Sequence, residues 1–219
     1  CGEVVVTDIG IPKGVLNKIE PNTFENSPQH WRAMLPSPGP DDHKYTRGHV
    51  VVIGGSEMTG AARLAARGAR RVGAGILSIA TTGAAKHLYD QFDAGNLVVE
   101  FSEKHSLSAI LSEKRRNAVL VGPGNGVTDL TRKCSISALK SKNNVVLDAD
   151  ALSVFERDPT KLFERIKGPC VLTPHQGEFD RLFKIDGDKL SRCRQAAHIA
   201  NSVIILKGYD TIICDANGR

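Results

Sequence analysis

The feature that most constrains the fold of this chain is a series of short apolar runs, each of which stops at a glycine, aspartate, histidine or lysine motif. Val50-Val51-Val52-Ile53 runs into Gly54-Gly55-Ser56, Val119-Leu120-Val121 into Gly122-Pro123-Gly124-Asn125-Gly126, and Val145-Val146-Leu147 into Asp148-Ala149-Asp150. Val171-Leu172 then runs into Thr173-Pro174-His175-Gln176-Gly177-Glu178, and Val203-Ile204-Ile205-Leu206 into Lys207-Gly208. Further strands are expected at Ile76 to Ala80, near Leu97, and from Thr211. Strands alternating with helical patterns imply crossover connections and a mostly parallel sheet with helices on both faces, the α/β class. The carboxyl ends of parallel strands share one edge, so these separate motifs should converge on one crevice where ligands bind. An enzyme is the leading reading.

The 219 residues, 41% of them hydrophobic, suffice for one substantial core. A net charge of +5 suits an anionic ligand such as a nucleotide, although it also suits charges spread over solvated faces. Aromatic residues make up only 5% and interleave with no basic stretch, which argues against a nucleic-acid stacking platform. Cys1, Cys134, Cys170, Cys193 and Cys214 are an odd number without a Cys-x-x-Cys pair. That spacing argues against a zinc site or a disulfide framework and fits a reducing, cytoplasmic compartment. No apolar run approaches the ~20 residues of a membrane helix.

Val4-Val5-Val6 reads as a short strand, and the proline-bearing stretch from 13 to 40 as a linker, because proline donates no amide to helix or sheet interiors. The regular pattern begins near Gly48. After Gly60, with Thr59 as a possible cap, a helix is expected to turn Ala61, Leu64, Ala65, Gly68, Ala69 and Val72 inward, with Arg63, Arg67, Arg70 and Arg71 on the opposite side.

Both glycine clusters let the backbone turn sharply into a helix start that offers amide donors, with Thr128 or Asp129 able to cap the second. Each is equally readable as a plain strand-to-helix turn. Neither has the spacing of the two best-known phosphate-binding loops. Asp148 and Asp150 lie on one side of extended chain, where paired carboxylates could hold magnesium; the alternative is that Asp150 caps a helix over Ala151 to Phe155. His175, Gln176 and Glu178 crowd one turn after Pro174, a setting that favours function over a solitary surface histidine. Lys207 could meet a phosphate or be a solvated charge.

Taken in order, these motifs resemble the ADP- or ATP-dependent NAD(P)H-hydrate dehydratase family of the ribokinase-like superfamily. The resemblance is carried by His43-Lys44, Arg47-Gly48, Gly54-Gly55-Ser56, Thr59-Gly60-Ala61-Ala62, Gly73-Ala74-Gly75, Gly122-Pro123-Gly124, Leu147 to Leu152, Leu172 to Glu178, and Leu206-Lys207-Gly208 through Thr211. It implies a three-layer α/β/α fold over 41–219. Val4 to Pro12 resembles the closing segment of the epimerase domain that precedes the dehydratase in bifunctional members, making 1–12 the end of such a domain. The resemblance further implies that Ala61, Gly124 and His175 bind the hydrated dinucleotide, and that Lys207, Gly208, Tyr209, Asp210 and Thr211 bind ADP or ATP with Mg2+. The expected enzyme is a homo-oligomer, a tetramer by family resemblance, with small-molecule partners and neither membrane nor nucleic acid.

Family members carry a Gly-x-Gly-Asp turn whose aspartate is the base for phosphoryl transfer, and no such turn occurs in this sequence. By resemblance, that aspartate is expected beyond Arg219, no catalytic residue lies within 1–219, the fold lacks its C-terminal portion, and the chain alone is inactive. Two rival readings are a small-alcohol kinase of the same superfamily, acting on a vitamin precursor, and a catalytically dead nucleotide-binding module.

Overall fold

The structure, a computed structural model, describes residues 3, 5–12 and 14–219. Cys1 and Val4 lie outside the described residues. Val5 and Val6, expected in a strand, belong to no regular element and are exposed.

The chain divides into two units, one comprising the residues up to Ser37 together with Arg219, the other Pro38–Gly218. The first carries two short helices, α1 (Gly14–Ile19) and α2 (Pro28–Trp31), followed by a 3-10 turn at Arg32–Met34, where the sequence suggested only a linker. None of the three has a buried residue. Pro28 opens α2 at a position where its missing amide costs nothing, and the Trp31 indole donates to Asn26 Oδ1 at 3.0 Å.

The second unit alternates as the apolar runs require: β1 (His49–Ile53), α3 (Thr59–Arg71), β2 (Ile76–Thr81), α4 (Gly83–Asp90), β3 (Leu97–Glu100), α5 (Leu107–Leu111), β4 (Ala118–Val121), α6 (Asp129–Lys140) and β5 (Asn144–Leu147). It continues through α7 (Asp150–Ser153), α8 (Thr160–Phe163), β6 (Cys170–Leu172), α9 (Gln176–Leu182), α10 (Lys189–Ala200), β7 (Val203–Leu206) and β8 (Ile212–Cys214). The strands form one sheet in the order β3-β2-β1-β4-β5-β6-β7-β8, parallel except for the antiparallel pair β7 and β8. The order reverses between β1 and β4, and that pair is the topological switch point.

Alternate residues of each strand feed two cores. Val51, Ile53, Val119, Val121, Val145, Leu147, Leu172, Ile204 and Leu206 pack under α5 to α10. Val52, Leu77 and Ile79 pack under α3 and α4 with Ala62, Ala66, Ala85 and Tyr89. On that second face the residues of β5 to β8 are less enclosed: Val146, Val171, Val203 and Ile205 are half-buried and Ile213 is exposed.

Helix α3 is rotated relative to the expectation. Ala62 and Ala66 face the sheet, whereas Leu64 and Val72 are 70% and 89% exposed. The small alanine Cβ atoms let the helix lie close against β1 and β2, and this rotation brings Arg63 inward. Its guanidinium sits 5.2 Å from the Phe92 ring centre and 5.9 Å from that of Tyr89 and donates to Leu88 O at 2.6 Å. Thr59 is the first helical residue and caps nothing; the cap position is Met58.

Candidate active site on the carboxyl edge of the sheet

The carboxyl ends of β1, β4, β5, β6 and β7 lie side by side, and their motifs interlock through main-chain contacts. A Cβ built on Gly55 would stand 1.8 Å from Gly124 O, and one built on Gly124, whose φ is +71°, would stand 2.2 Å from Met58 O. The turn after β1, the turn after β4 and the start of α3 therefore touch backbone to backbone, an approach only glycine permits. Asn125 clamps the same junction: its Nδ2 donates to Ile53 O at 2.8 Å and its Oδ1 accepts from Gly122 N at 2.8 Å. From α4 the fully buried Tyr89 donates to Gly55 O at 2.6 Å. Thr131 secures the far side of the β4 turn, donating to Gly126 O at 2.6 Å. Thr128 caps α6, accepting from Thr131 N.

After β5, the two aspartates separate instead of pairing. Asp148 Oδ1 accepts from Lys207 Nζ at 2.7 Å. Ala149 takes φ +48° and ψ −119°, a conformation unusual for a residue with a Cβ, and so turns Asp150 toward the glycine loop, where its Oδ2 accepts from Gly126 N at 2.8 Å. Asp150 opens α7 without capping it. Both carboxylates are thus committed to the protein, and among the described residues no group of three or more His, Cys, Asp or Glu is placed to hold a metal. Among the described residues the side chains build no magnesium cage.

His175 begins α9 as its cap. Nδ1 accepts from Gly177 N at 3.0 Å and Glu178 N at 3.3 Å, while the buried Glu178 carboxylate accepts from His175 N at 2.8 Å. This reciprocal pair is a capping box with histidine in the place of the usual serine or threonine. With Nδ1 accepting, the hydrogen-bond network puts the ring proton on Nε2, which lies 3.5 Å from Glu178 Oε1, and the side chain is 56% exposed at the rim.

Lys207 extends β7 past its last regular residue. Its amide donates to Pro174 O at 2.9 Å, and it pairs with His175 in a parallel bridge, so the two residues stand adjacent on the edge. Gly208 and Thr211 close the turn to β8, with Thr211 Oγ1 donating to Gly208 O at 2.9 Å. Asp210 is ion-paired with Lys189 of α10, which holds its carboxyl below the usual carboxylate range, and Tyr209 points to solvent at 88% exposure. Ala61, half-buried in the first turn of α3, follows Met58 and so borders the Gly55–Gly124 junction. All eight residues that the resemblance assigns to ligand binding therefore lie along one edge: Ala61 and Gly124 at the switch point, His175 and Lys207 adjacent to each other two and three strands beyond β4, and 208–211 beyond them. Asn125, Tyr89, Thr131 and Asp150, which hold the turns in place, were not singled out for that work. Tyr89 bears no local signal, since its partner Gly55 is 34 residues away.

The crevice at the switch point encloses only about 40 Å3, bordered by Gly54, Gly55, Ser56, Asn125 and Thr131. Larger cavities occur elsewhere, but this edge joins main-chain turns, a lysine and a histidine on adjacent strands. Such an arrangement can grip an anionic group from beneath and present polar atoms to a flat ligand. The described cysteines are free and buried, with the Cys134 and Cys170 thiols pushed up to about 12 by burial, so thiolate chemistry has no place here. No helix among the described residues is long and apolar enough to cross a membrane.

A family model described as NAD(P)H-hydrate dehydratase matches residues 50–219. The bifunctional NAD(P)H-hydrate repair enzyme of Archaeoglobus fulgidus is 33% identical over 222 residues, covering 99% of this chain and 43% of that protein. The ADP-dependent (S)-NAD(P)H-hydrate dehydratase of Bacillus subtilis is 33% identical over 196 residues, covering 87% of this chain and 68% of that protein. Among solved structures, the ADP/ATP-dependent NAD(P)H-hydrate dehydratase of Bacillus subtilis, co-crystallized with ATP/Mg2+, superposes with a TM-score of 0.72 at 28% identity, over 88% of this chain and 69% of that one. A ribokinase-like superfamily protein of Enterococcus faecalis shares the fold, with a TM-score of 0.72 at 24% identity over 82% of this chain and 64% of that one. The chain spans less than half the length of the bifunctional relatives it matches.

Proposed function

This chain belongs to the NAD(P)H-hydrate dehydratase family, and from that premise we propose that it serves the nucleotide-dependent dehydration of the S epimer of hydrated NADH or NADPH. The observation that carries the proposal is the single edge on which the Gly55–Gly124 junction, His175 and Lys207 lie. Ala61, Gly124 and His175 take the hydrated dinucleotide, and Lys207 to Thr211 take ADP or ATP. The chemistry suits such an edge. Hydroxide leaves a ring carbon poorly and phosphate leaves it well, so transfer of the nucleotide's terminal phosphoryl group to the ring hydroxyl prepares its elimination. Elimination then yields the reduced dinucleotide and inorganic phosphate, leaving the nucleotide one phosphate shorter. Lys207 offers positive charge to the phosphates. Magnesium, where it takes part, would be held through the nucleotide's phosphates, where it would offset their charge, because no cluster of carboxylates among the described residues is built to hold it.

The same reading makes 41–219 the dehydratase domain and 1–12 the end of an epimerase-like domain joined through 13–40. Support comes from relatives of which this chain covers 99% of its own length yet 43% of theirs. The four described free cysteines fit a cytoplasmic enzyme, and we place a homo-oligomer there. The test is to supply (S)-hydrated NADH with ADP or ATP and follow the absorbance of the reduced nicotinamide. Recovery of that absorbance with release of phosphate supports the dehydratase, whereas a stable phosphorylated small alcohol without recovery moves the assignment to a superfamily kinase. Nucleotide binding without either product leaves a binding module.

A further inference from the structure

Residues 208–211 close the turn between β7 and β8, and their main chain has little to rest on. Within the turn, Thr211 Oγ1 donates to Gly208 O at 2.9 Å and accepts from Gly208 N at 3.3 Å. Among the described residues, one group outside the turn hydrogen-bonds residues 208–210, the ammonium of Lys189. It donates to the Asp210 carbonyl at 2.7 Å and also to Asp210 Oδ1, and a Cβ built on Gly208 would stand 2.8 Å from it. One side chain of α10 thus touches both the first and the third residue of the turn.

Lys189 is the first residue of α10, a place where local physics favours an acid, because the amino end of a helix already carries the positive half of its dipole. The helix does not need it in order to start. Asp188 is the cap, and its Oδ1 accepts from Leu190 N and Ser191 N at 3.0 Å. The Lys189 side chain is only 24% exposed, against 70% for Asp210, so it lies against the protein rather than extending into water. A cation set against the local rule and folded onto one turn points to a role in that turn rather than in its own helix.

We propose that Lys189 is a positioning residue for nucleotide binding: acting through Asp210, it holds the 208–211 turn in the shape that receives ADP or ATP. The inference rests on the assignment of that turn to the nucleotide. A turn ordered before its ligand arrives spares binding the entropy of ordering it. The same contact neutralises the Asp210 carboxylate, the one acid of the turn and three residues from Lys207, so that phosphates drawn to Lys207 do not meet an unpaired negative charge.

Lys189→Met and Lys189→Arg test it through two readouts. The first is affinity for ADP and for ATP, each with magnesium, by calorimetry. The second is cleavage after Tyr209 by limited chymotrypsin digestion of the ligand-free protein, with the fragments identified by mass spectrometry. Tyr209 is 88% exposed, so cleavage there reports how freely the turn opens. Removing a cation from the start of α10 does not weaken the helix, and urea midpoints check that both variants keep their fold. The expected result for Lys189→Met is binding of both nucleotides weakened about tenfold and cleavage after Tyr209 at least about fivefold faster, with the midpoint little changed. Arginine can make both bonds, so Lys189→Arg should restore most of each effect. Unchanged affinity in Lys189→Met overturns the proposal. So does weaker binding without faster cleavage, because Lys189 would then act on the phosphates by charge alone. A wild-type protein that binds neither nucleotide overturns the assignment on which the inference rests, and this separates the two failures.

Discussion

Lys207 Nζ stands 2.7 Å from Asp148 Oδ1, so a side chain at the end of β7 reaches over the end of β6 to the residue that follows β5. The pair is partly exposed, at 41% and 25%, and solvent screens it; removing it should change folding stability by no more than ~1 kcal/mol. Its effect belongs to ligand binding. Lys207→Met is expected to raise the nucleotide KM about tenfold or more, because a phosphate loses its countercharge. Asp148→Asn, which frees the ammonium, should lower that KM. Steady-state kinetics of the two variants with denaturation curves check both, and equal KM values in all three proteins would remove Lys207 from the nucleotide site.

His175 is both a helix cap and a rim side chain, and two substitutions separate these roles. His175→Ala loses the cap and should cost about 1 kcal/mol of stability. Asparagine is a strong cap, so His175→Asn should restore most of that stability. If the ring meets the dinucleotide, both variants should lose turnover to a similar, large extent. Full activity in His175→Asn would confine the histidine to capping α9.

Gly55 and Gly68 make opposite predictions. At Gly55 a Cβ would meet a backbone carbonyl that cannot move without opening the β1–β4 junction, so Gly55→Ala should cost at least about 3 kcal/mol and abolish ligand binding. At Gly68, inside α3 and exposed, a Cβ meets nothing within 4 Å, so Gly68→Ala should add roughly 0.5–1 kcal/mol. Urea unfolding midpoints decide both.

His49 is buried at the start of β1, with Nε2 2.8 Å from Ser78 Oγ. Burial pushes its pKa below the usual 6.5, and the Arg116 charge adds to that effect, against a smaller opposing contribution from Glu113. The unfolded chain therefore binds this proton more readily than the folded one. Stability should fall as pH drops through 6.5 toward the depressed folded value and be flat above that window. Measuring unfolding from pH 5 to 8 in the wild type and His49→Gln isolates the contribution, since the two proteins differ in no other ionisable group. An identical pH slope in the two proteins would refute it.

The sheet was legible because β-branched runs end at turn residues, and the carboxyl-edge motifs were legible because parallel strands bring their ends together. The rest depended on information that local spacing does not carry. In α3 small residues occupy two overlapping faces, so periodicity could not choose between Ala61–Leu64–Gly68 and Ala62–Ala66. The sheet chose the alanines, which pack closest. Asp150 acts on Gly126 rather than on α7 because of the unusual backbone at Ala149. The sequence favoured function at His175 and did not show its capping role, because histidine is not a usual partner in a capping box. Asn125 lies inside a glycine turn, where it reads as punctuation, yet its amide bonds a strand 72 residues earlier.

That last separation bears on how the protein is made. As the polypeptide leaves the ribosome, β1 can pair with β2 and receive α3 and α4 while its other side stays bare. The crevice does not exist until β4 and its Gly122 to Gly126 loop emerge and dock against Gly55. The floor of that crevice is therefore completed at one act of assembly, before the His175 and Lys207 segments have been made, and a nascent chain stalled ahead of it is already partly folded yet lacks the Gly55–Gly124 junction.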